Sequence, residues 1–516
     1  MSERERISDA NPENPLQEKC GIVGIYSPGS SILEQFDAGT IASRALWHRG
    51  QHGLGFLINT DRGRKKYLRI GTIDEALPPG LRDEFEKAEG VSNWAFFHTR
   101  YGTSGNYDEN NLQPISVKTP EGINFSVTHN GEFAINQDIR DNIPENIPDG
   151  ASDTYIFTKA LQYSPGLTPD EKIMNVLRSV NGAYSLLIGT DDAIFAARDQ
   201  FGIRPMVIGK YPNGWIVASE THALDKLGID TDREIKRGEI IKIDKNGPNV
   251  IKKGSEGTGN FCSLELAYFS RPDSTAPTFE HPDDASHPER WMSHLRFRET
   301  SGLILAKEKP VKNATFVVGV PDSGVPAGTG YARGINAPYR QVIVRDHYDQ
   351  NGQLRTFMKD NQMSSLSKMV AGKLSFPNDP AIWKGAVIVV VDDSMVRGST
   401  SKPVVKIMFD AGAKEVHVRL AYPPVKFPCH LGVSMRTNNE LIAYRHHGNV
   451  EAIAQEIGAT SVEYISPEGF LNAWHQSGNI LIPDDRREIF LANGACGGCV
   501  TGLYPISKDG TIYKRK

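Results

Sequence analysis

The chain has 516 residues, 23% of them charged, and a formal net charge of −4 at pH 7. That length predicts two or three domains, each large enough to bury its own core. The charge balance argues against a nucleic-acid coat or a polybasic anchor, and no apolar run approaches the roughly 20 residues of a membrane-spanning helix. Residues 1–19 are polar, carry Asn-Pro-Glu-Asn-Pro and lack the apolar centre of a secretory signal. They read as a flexible leader on a cytoplasmic protein. The five cysteines, Cys20, Cys262, Cys429, Cys496 and Cys499, are too sparse for a disulfide framework. Catalysis or metal binding is left to explain them.

The N-terminal half opens on an apolar strand, residues 20–26, that begins with the thiol of Cys20. His48-Arg49-Gly50-Gln51 follows in a glycine-rich stretch. A strand at 94–97 runs into His98-Thr99-Arg100-Tyr101, and a strand at 124–128 runs into His129-Asn130-Gly131-Glu132. Asn-Gly ordinarily marks a turn. Ser152 or Asp153 is suited to cap the helix that follows. Each fragment alone fits an ordinary turn, cap or core cysteine.

The C-terminal half follows a Gly/Ser/Thr-rich linker at 254–259. Residues 274–289 are rich in Pro and His and read as a loop. Residues 296–307 have helical spacing, with Leu295, Leu303 and Ala306 on one face. A short apolar strand at 315–320 ends in Pro321-Asp322-Ser323-Gly324. A second, 387–391, is five β-branched residues in a row, which suits a strand covered on both faces in a parallel sheet. It ends in Asp392-Asp393-Ser394, then Arg397-Gly398-Ser399-Thr400, then a helix-like segment at 402–411. Ligands of open α/β sheets bind beyond the carboxyl ends of the strands. Paired carboxylates there can hold sugar hydroxyls or a divalent cation. The backbone N–H groups and hydroxyls of 397–400 can wrap a phosphate at the helix start. Cys496-Gly497-Gly498-Cys499, with Cys262 and Cys429, can hold a structural zinc or a 4Fe–4S cluster, and spacing does not decide between them.

In this order the N-terminal fragments resemble the glutaminase domain of the N-terminal-nucleophile amidotransferases, from Cys20 to about Gly254. The resemblance includes Gly182-Ala183-Tyr184-Ser185, Asp199, Arg204 and Ser219-Glu220. The 386–400 stretch resembles the phosphoribosyl-pyrophosphate (PRPP) motif of type I phosphoribosyltransferases, in the version of the glutamine PRPP amidotransferase family. The resemblance implies a leader at 1–19 removed as a propeptide and an αββα glutaminase sandwich over 20–254. A phosphoribosyltransferase domain with a central parallel sheet follows over 262–480, and a C-terminal segment over 481–516 carries the Cys-x-x-Cys. By the same resemblance Cys20 is the nucleophile, with its freed α-amino group as base, and Asn130 and Gly131 form the oxyanion hole. Arg100 and Asp153 hold the glutamine backbone. Asp392, Asp393, Ser394, Arg397, Gly398, Ser399 and Thr400 bind PRPP, and Arg355 lies in a stretch, 354–358, that resembles the family's mobile loop closing over it, with polar surroundings at 346–353 and 359–368. Ser323, Asp392 and Asp393 surround Mg²⁺.

The contexts of Cys262, Cys429, Cys496 and Cys499 match the cluster-binding members, which implies a structural 4Fe–4S cluster. The implied reaction is glutamine-dependent amination of PRPP, the first step of purine synthesis. The family also implies a homotetramer inhibited by purine nucleotides. Two other readings are weighed. A glutaminase with another acceptor, as in glucosamine-phosphate or asparagine synthesis, is opposed by Asp392-Asp393. A PRPP-sensing regulator without transferase activity is opposed by the complete glutaminase set and the lack of a basic DNA-binding patch.

Overall fold

A computed structural model describes residues 20–101, 111–135, 137–255, 259–277, 291–345, 374–433, 435, 437–478, 489–492, 494–507 and 510–512. The leader at 1–19, Arg355 and the loop around it lie outside the described residues.

The first half is two antiparallel sheets stacked face to face. Its strands are β1 (Gly21–Ser31), β2 (Gly53–Thr60), β3 (Gly63–Ile70), β4 (Val91–Arg100), β5 (Ile115–Lys118), β6 (Asn124–Ala134), β7 (Asn181–Gly189), β8 (Ile194–Arg198), β9 (Val207–Tyr211), β10 (Gly214–Ala218), β11 (Thr231–Glu234), β12 (Ile240–Asp244) and β13 (Gly247–Lys252). One sheet has the order β11-β9-β10-β1-β4-β2-β3 and the other β13-β12-β8-β7-β6-β5. The period-2 alternation of a strand sorts the side chains. Ile22, Tyr26, Trp94, Phe96, Leu187 and Ile194 fill the space between the sheets. Val23, Ile25, Ala95 and Phe97 point the other way, onto the Ile32–Ala45 helix. Leu186, Ile188 and Phe195 meet the helices Asp153–Tyr163 and Pro169–Ser179. The result is the αββα sandwich expected from the resemblance.

The second half is built on a parallel sheet of four strands, in the order Phe316–Gly319, Val387–Asp392, Glu415–Leu420, Ser461–Tyr464. The run of β-branched residues is buried on both faces, as the pattern predicts. Ile388 and Val390 pack toward the helices Ser401–Asp410 and Val450–Ile457. Val389 and Val391 pack toward His294–Glu308 and Gly324–Ile335. Burial of each such aliphatic side chain contributes about 1.5–3 kcal/mol.

One dipeptide departs from its usual local habit, and two sequence expectations need correction. Asn130-Gly131 is not a turn, because β6 runs unbroken through it and pairs with β7, Asn130 opposite Ser185 and Gly131 opposite Tyr184. The helix expected at 296–307 spans His294–Glu308, but its buried face is Phe297, Ser301, Gly302, Ile304 and Leu305 as well as Ala306, and Leu295 is exposed. Small residues decide this face. A Cβ on Gly302 would lie 1.9 Å from the carbonyl of Ala327, and one on Gly330 would lie 1.9 Å from that of Glu299, so the two helix backbones touch. Finally, the loop expected over 274–289 begins as a strand, Thr275–Pro277, paired with Trp291–Ser293.

Candidate active sites

The first site lies at the edge of the sandwich, where β1 enters. Cys20 is buried, and its Sγ lies 3.9 Å from the carbonyl oxygen of Tyr101. Its neighbours are fixed from both sides. Gly21 N–H donates to Thr99 Oγ1 at 3.0 Å, and Ile22 N–H donates to Ser219 Oγ at 3.0 Å. By alternation along β6, Asn130 points into the space between the sheets. Its side chain is fully buried, yet neither its amide nitrogen nor its amide oxygen has a hydrogen-bond partner among the described residues. An unpaired buried amide costs about 1–3 kcal/mol, so such groups ask for an explanation. A ligand oxygen in need of a donor supplies one. Gly131 has φ +151, and a Cβ there would lie 2.0 Å from the carbonyl of Ala183. No other residue fits.

Around this point the polar groups are tightly held. Asp153 Oδ2 accepts from Phe133 N–H and Oδ1 from Thr154 N–H, each at 2.9 Å, at the start of a helix that Ser152 caps. Arg100 is buried at the end of β4. His52 N–H donates to its carbonyl at 2.9 Å. Burial, reinforced by the Arg100 charge, pushes the His52 imidazole down to about 4, so it is neutral at pH 7. Asp199 stands behind β7, the strand paired with β6. It accepts from Tyr184 N–H at 3.2 Å, and Tyr184 is the residue opposite Gly131. Burial raises its carboxyl despite donors from Ile203, Phe201 and Arg204. Asp199 falls within a sequence motif, but its role depends on the distant Tyr184 and carries no local signal.

The second site lies beyond the carboxyl ends of two adjacent parallel strands. Gly319 pairs with Val391, and Val320 N–H donates to Val391 O at 2.9 Å. The turn Pro321-Asp322-Ser323-Gly324 is thereby set beside Asp392-Asp393. A Cβ on Gly324 would lie 2.6 Å from Val391 O and 3.2 Å from Asp392 Oδ1. Both aspartates are buried. Burial raises the Asp392 carboxyl well above its ordinary range, and the Asp393 charge adds to it. Burial raises Asp393 too, while bonds from Ser323 and Ser394 oppose the rise. Ser323, Asp392 and Asp393 are therefore together, as the resemblance implied. Two carboxylates with few protein cations around them suit a hard divalent ion that keeps most of its ligands from water or substrate.

The loop 394–400 turns into the Ser401–Asp410 helix through Gly398, whose φ is +79. Thr400 makes no side-chain cap, but Lys402 N–H already donates to Gly398 O at 3.1 Å and Pro403 has no N–H, so the backbone open to an anion is that of the turn before them. The Arg397 guanidinium is engaged with Glu440, through Nε at 3.0 Å and a shorter bond from Nη2. This loop is braced from behind, since Ile442 N–H donates to Val396 O at 2.8 Å. Glu440 was not foreseen, and its 43-residue separation from Arg397 leaves no local signal.

The remaining cysteines converge. Phe261–Cys262 pairs in parallel with Ala495–Cys496, with Cys262 opposite Cys496. Cys499 Sγ lies 3.3 Å from Tyr422 Oη, and Cys429 Sγ accepts from Leu431 N–H at 3.3 Å. All four belong to or line one core, and burial raises the Cys262 thiol to about 12 with Cys429 adding to the rise. Among the described residues no three His, Cys, Asp or Glu side chains are placed around a single metal ion.

An antiparallel glutaminase sandwich with a thiol at its edge, joined to a parallel-sheet domain with an Asp-Asp phosphate loop, defines a class: a glutamine amidotransferase fused to a phosphoribosyltransferase. The comparisons agree with it. A family profile described as "Glutamine amidotransferase domain" matches residues 98–226, and one described as "Phosphoribosyl transferase domain" matches residues 301–422. The chain is 32% identical to the amidophosphoribosyltransferase of Homo sapiens, over 96% of this chain and 98% of that one. It is 33% identical to that of Bacillus subtilis, over 95% and 94%. Its structure is similar to the glutamine PRPP amidotransferase of B. subtilis complexed with ADP and GMP, with a TM-score of 0.77 and 30% identity, over 96% of this chain and 99% of that one. The chain belongs to the amidophosphoribosyltransferase family. Among the described residues no helix is long and apolar enough to cross a membrane.

Proposed function

We propose that the two sites act in series on one nitrogen atom. Family membership gives the overall reaction: glutamine, PRPP and water yield phosphoribosylamine, glutamate and pyrophosphate, in purine biosynthesis. In the first site Cys20 Sγ attacks the side-chain amide carbon of glutamine. The thiol proton passes to the α-amino group of Cys20, freed by removal of residues 1–19, and from there to the departing ammonia. An α-amino group suits this because its ordinary pKa is about 7.7–8.0. Asn130 Nδ2 and the Gly131 N–H hold the oxyanion, and a single such donor is worth about a hundred- to thousandfold in rate. Arg100 holds the α-carboxylate of glutamine by a fork of two bonds, and Asp153 holds its α-ammonium. Water then releases glutamate from the thioester.

In the second site ammonia attacks the anomeric carbon of PRPP and pyrophosphate leaves. Asp392 and Asp393 hold the ribose hydroxyls and, with Ser323, a Mg²⁺ ion. When bound, that ion draws off the charge that develops on pyrophosphate. The backbone of 397–400, with Ser394, Ser399 and Thr400, cradles the 5′-phosphate. Arg355 closes the site. The four remaining cysteines hold a structural 4Fe–4S cluster. A cluster takes one thiolate on each iron, and the four cysteines line one core with Cys262 opposite Cys496. Purine nucleotides inhibit a homotetramer of the chain.

The observation that carries the reading is the buried, unpaired Asn130 on β6, a strand in contact with the β1 strand that Cys20 leads into, in the same chain as the buried Asp392–Asp393 pair. Cys20→Ala tests it: synthesis from glutamine is expected to vanish while synthesis from ammonia persists. A variant that still uses glutamine overturns the reading. Mass spectrometry of active enzyme is expected to find Cys20 as the first residue, and iron and sulfide analysis to find four of each per chain.

A further inference from the structure

A pair of buried hydroxyls beside the Cys496–Cys499 turn has no part in either proposed reaction. Tyr422 follows the third strand of the parallel sheet, Glu415–Leu420, and is fully buried. Its ring packs edge-on against Phe470, with centroids 5.1 Å apart. The phenol oxygen meets two partners. Tyr422 Oη lies 3.3 Å from Cys499 Sγ and 2.6 Å from Ser263 Oγ. Ser263 follows Cys262 and is fully buried too, and its Oγ lies 2.8 Å from the carbonyl oxygen of Cys496. The two hydroxyls thus touch the Cys-x-x-Cys at both of its cysteines. A phenylalanine would fill the same space with no polar atom to satisfy. A tyrosine sets a donor against a sulfur.

The chemistry of the donor set gives that contact a direction. The cysteines are free of disulfides and gather on one core, which fits a thiolate-held cluster. A thiolate on a metal has no proton to give, so Tyr422 is the donor in the contact with Cys499. Its own proton spent, Tyr422 Oη is left to accept, and Ser263 Oγ is within reach to supply that bond. Cys429 already accepts from a backbone group, Leu431 N–H at 3.3 Å. Cys499 accepts from a side chain, which substitution can remove. Hydrogen bonds to the sulfurs help to set the potential of a cluster. A donor favours the more negatively charged, reduced state, and bonds to an ionised acceptor are the stronger kind.

We propose that Tyr422 is a positioning residue for the 4Fe–4S cluster: its hydroxyl donates to the sulfur of Cys499, and Ser263 holds that hydroxyl in place. The bond makes the cluster harder to oxidise. This rests on the cluster reading given under the proposed function.

The test uses the full-length enzyme with its iron and reads the cluster rather than the reaction. Resonance Raman spectra of the iron–thiolate stretches are recorded in H₂O and after prolonged exchange into D₂O. The unaltered chain is expected to show an iron–thiolate band that moves in D₂O. Tyr422→Phe is expected to lose that isotope shift. Ser263→Ala, which leaves Tyr422 its contact with the sulfur, is expected to keep it. In aerated buffer the visible absorption of Tyr422→Phe is expected to fade about threefold to tenfold faster, the scale of one hydrogen bond. Freshly prepared, both variants are expected to make phosphoribosylamine from ammonia within about twofold of the unaltered rate, which sets the effect apart from a general structural defect. The proposal is overturned if folded, iron-loaded Tyr422→Phe keeps the isotope shift or fades at the unaltered rate, or if Ser263→Ala loses the shift alike. It is overturned without any variant if no iron–thiolate band of the unaltered enzyme responds to D₂O. Zinc in place of iron in the unaltered enzyme would instead strike at the cluster reading itself.

Discussion

Two buried charged clusters lie within this chain, and they are built on opposite principles. Asp392 and Asp393 are like charges set side by side, and burial with mutual repulsion raises Asp392 well above its ordinary range. Arg49, Arg204, Glu220 and Glu265 are matched charges, and their attraction more than offsets burial. Glu220 and Glu265 are held below their ordinary range, chiefly by His48 and Arg49 for the first and by Arg49 and Arg204 for the second. The matched cluster is complete in itself and holds two domains in register. The unmatched pair is destabilising as it stands, and the Mg²⁺ ion proposed above would complete it. Strain of that kind belongs at a binding site.

The largest expected effect comes from breaking the unmatched pair. Asp393→Asn removes a carboxylate worth several kcal/mol of charge stabilisation, so synthesis should fall about a thousandfold, while the ligand-free protein unfolds at a higher denaturant concentration than before. A variant both inactive and less stable would show that the pair is not strained.

Next is the matched cluster, where Glu220→Ala leaves Arg49 short of a partner. Urea titration should record a loss of about 3–5 kcal/mol. The signs against pH are also opposite. The Glu220 contribution is present above its unfolded value near 4.5 and is lost as pH falls through its lower folded value. The Asp392 penalty is absent below its unfolded value near 3.8 and sets in as pH rises through its raised folded value. Calorimetry should therefore find that Mg²⁺–PRPP binding releases protons and weakens as pH falls, by up to about tenfold per unit for one proton. Affinity independent of pH below neutrality would contradict the raised pair. The smallest effect is expected at Arg397→Lys, which loses the planar fork onto Glu440. Steady-state kinetics should show the KM for PRPP rising about threefold to tenfold, with kcat kept.

Much of the first-order plan was legible in the chain. Five β-branched residues before two aspartates located an interior strand of the parallel sheet, because burial on both faces favours a continuous apolar run. Ser152 was readable as a cap because its chemistry is local. What escaped was whatever depends on distant partners. Asn130-Gly131 has the composition of a turn, and only pairing with β7 holds it extended. The buried face of the His294–Glu308 helix is set by glycines on two helices that allow backbone contact, which a hydrophobic pattern does not encode. Nothing local in the sequence marks Glu265 or Arg298 as buried. Their partners are 216 residues away for Arg49 to Glu265 and 32 for Arg298 to Leu266.

The most direct test of the whole account is to count products in one reaction. With glutamine, PRPP and Mg²⁺ supplied together, glutamate and pyrophosphate should appear in equal amounts, and each should fall sharply when the other substrate is withheld. Glutamate released at full rate with no pyrophosphate would mean that the two sites do not share one nitrogen, and the series mechanism would be wrong.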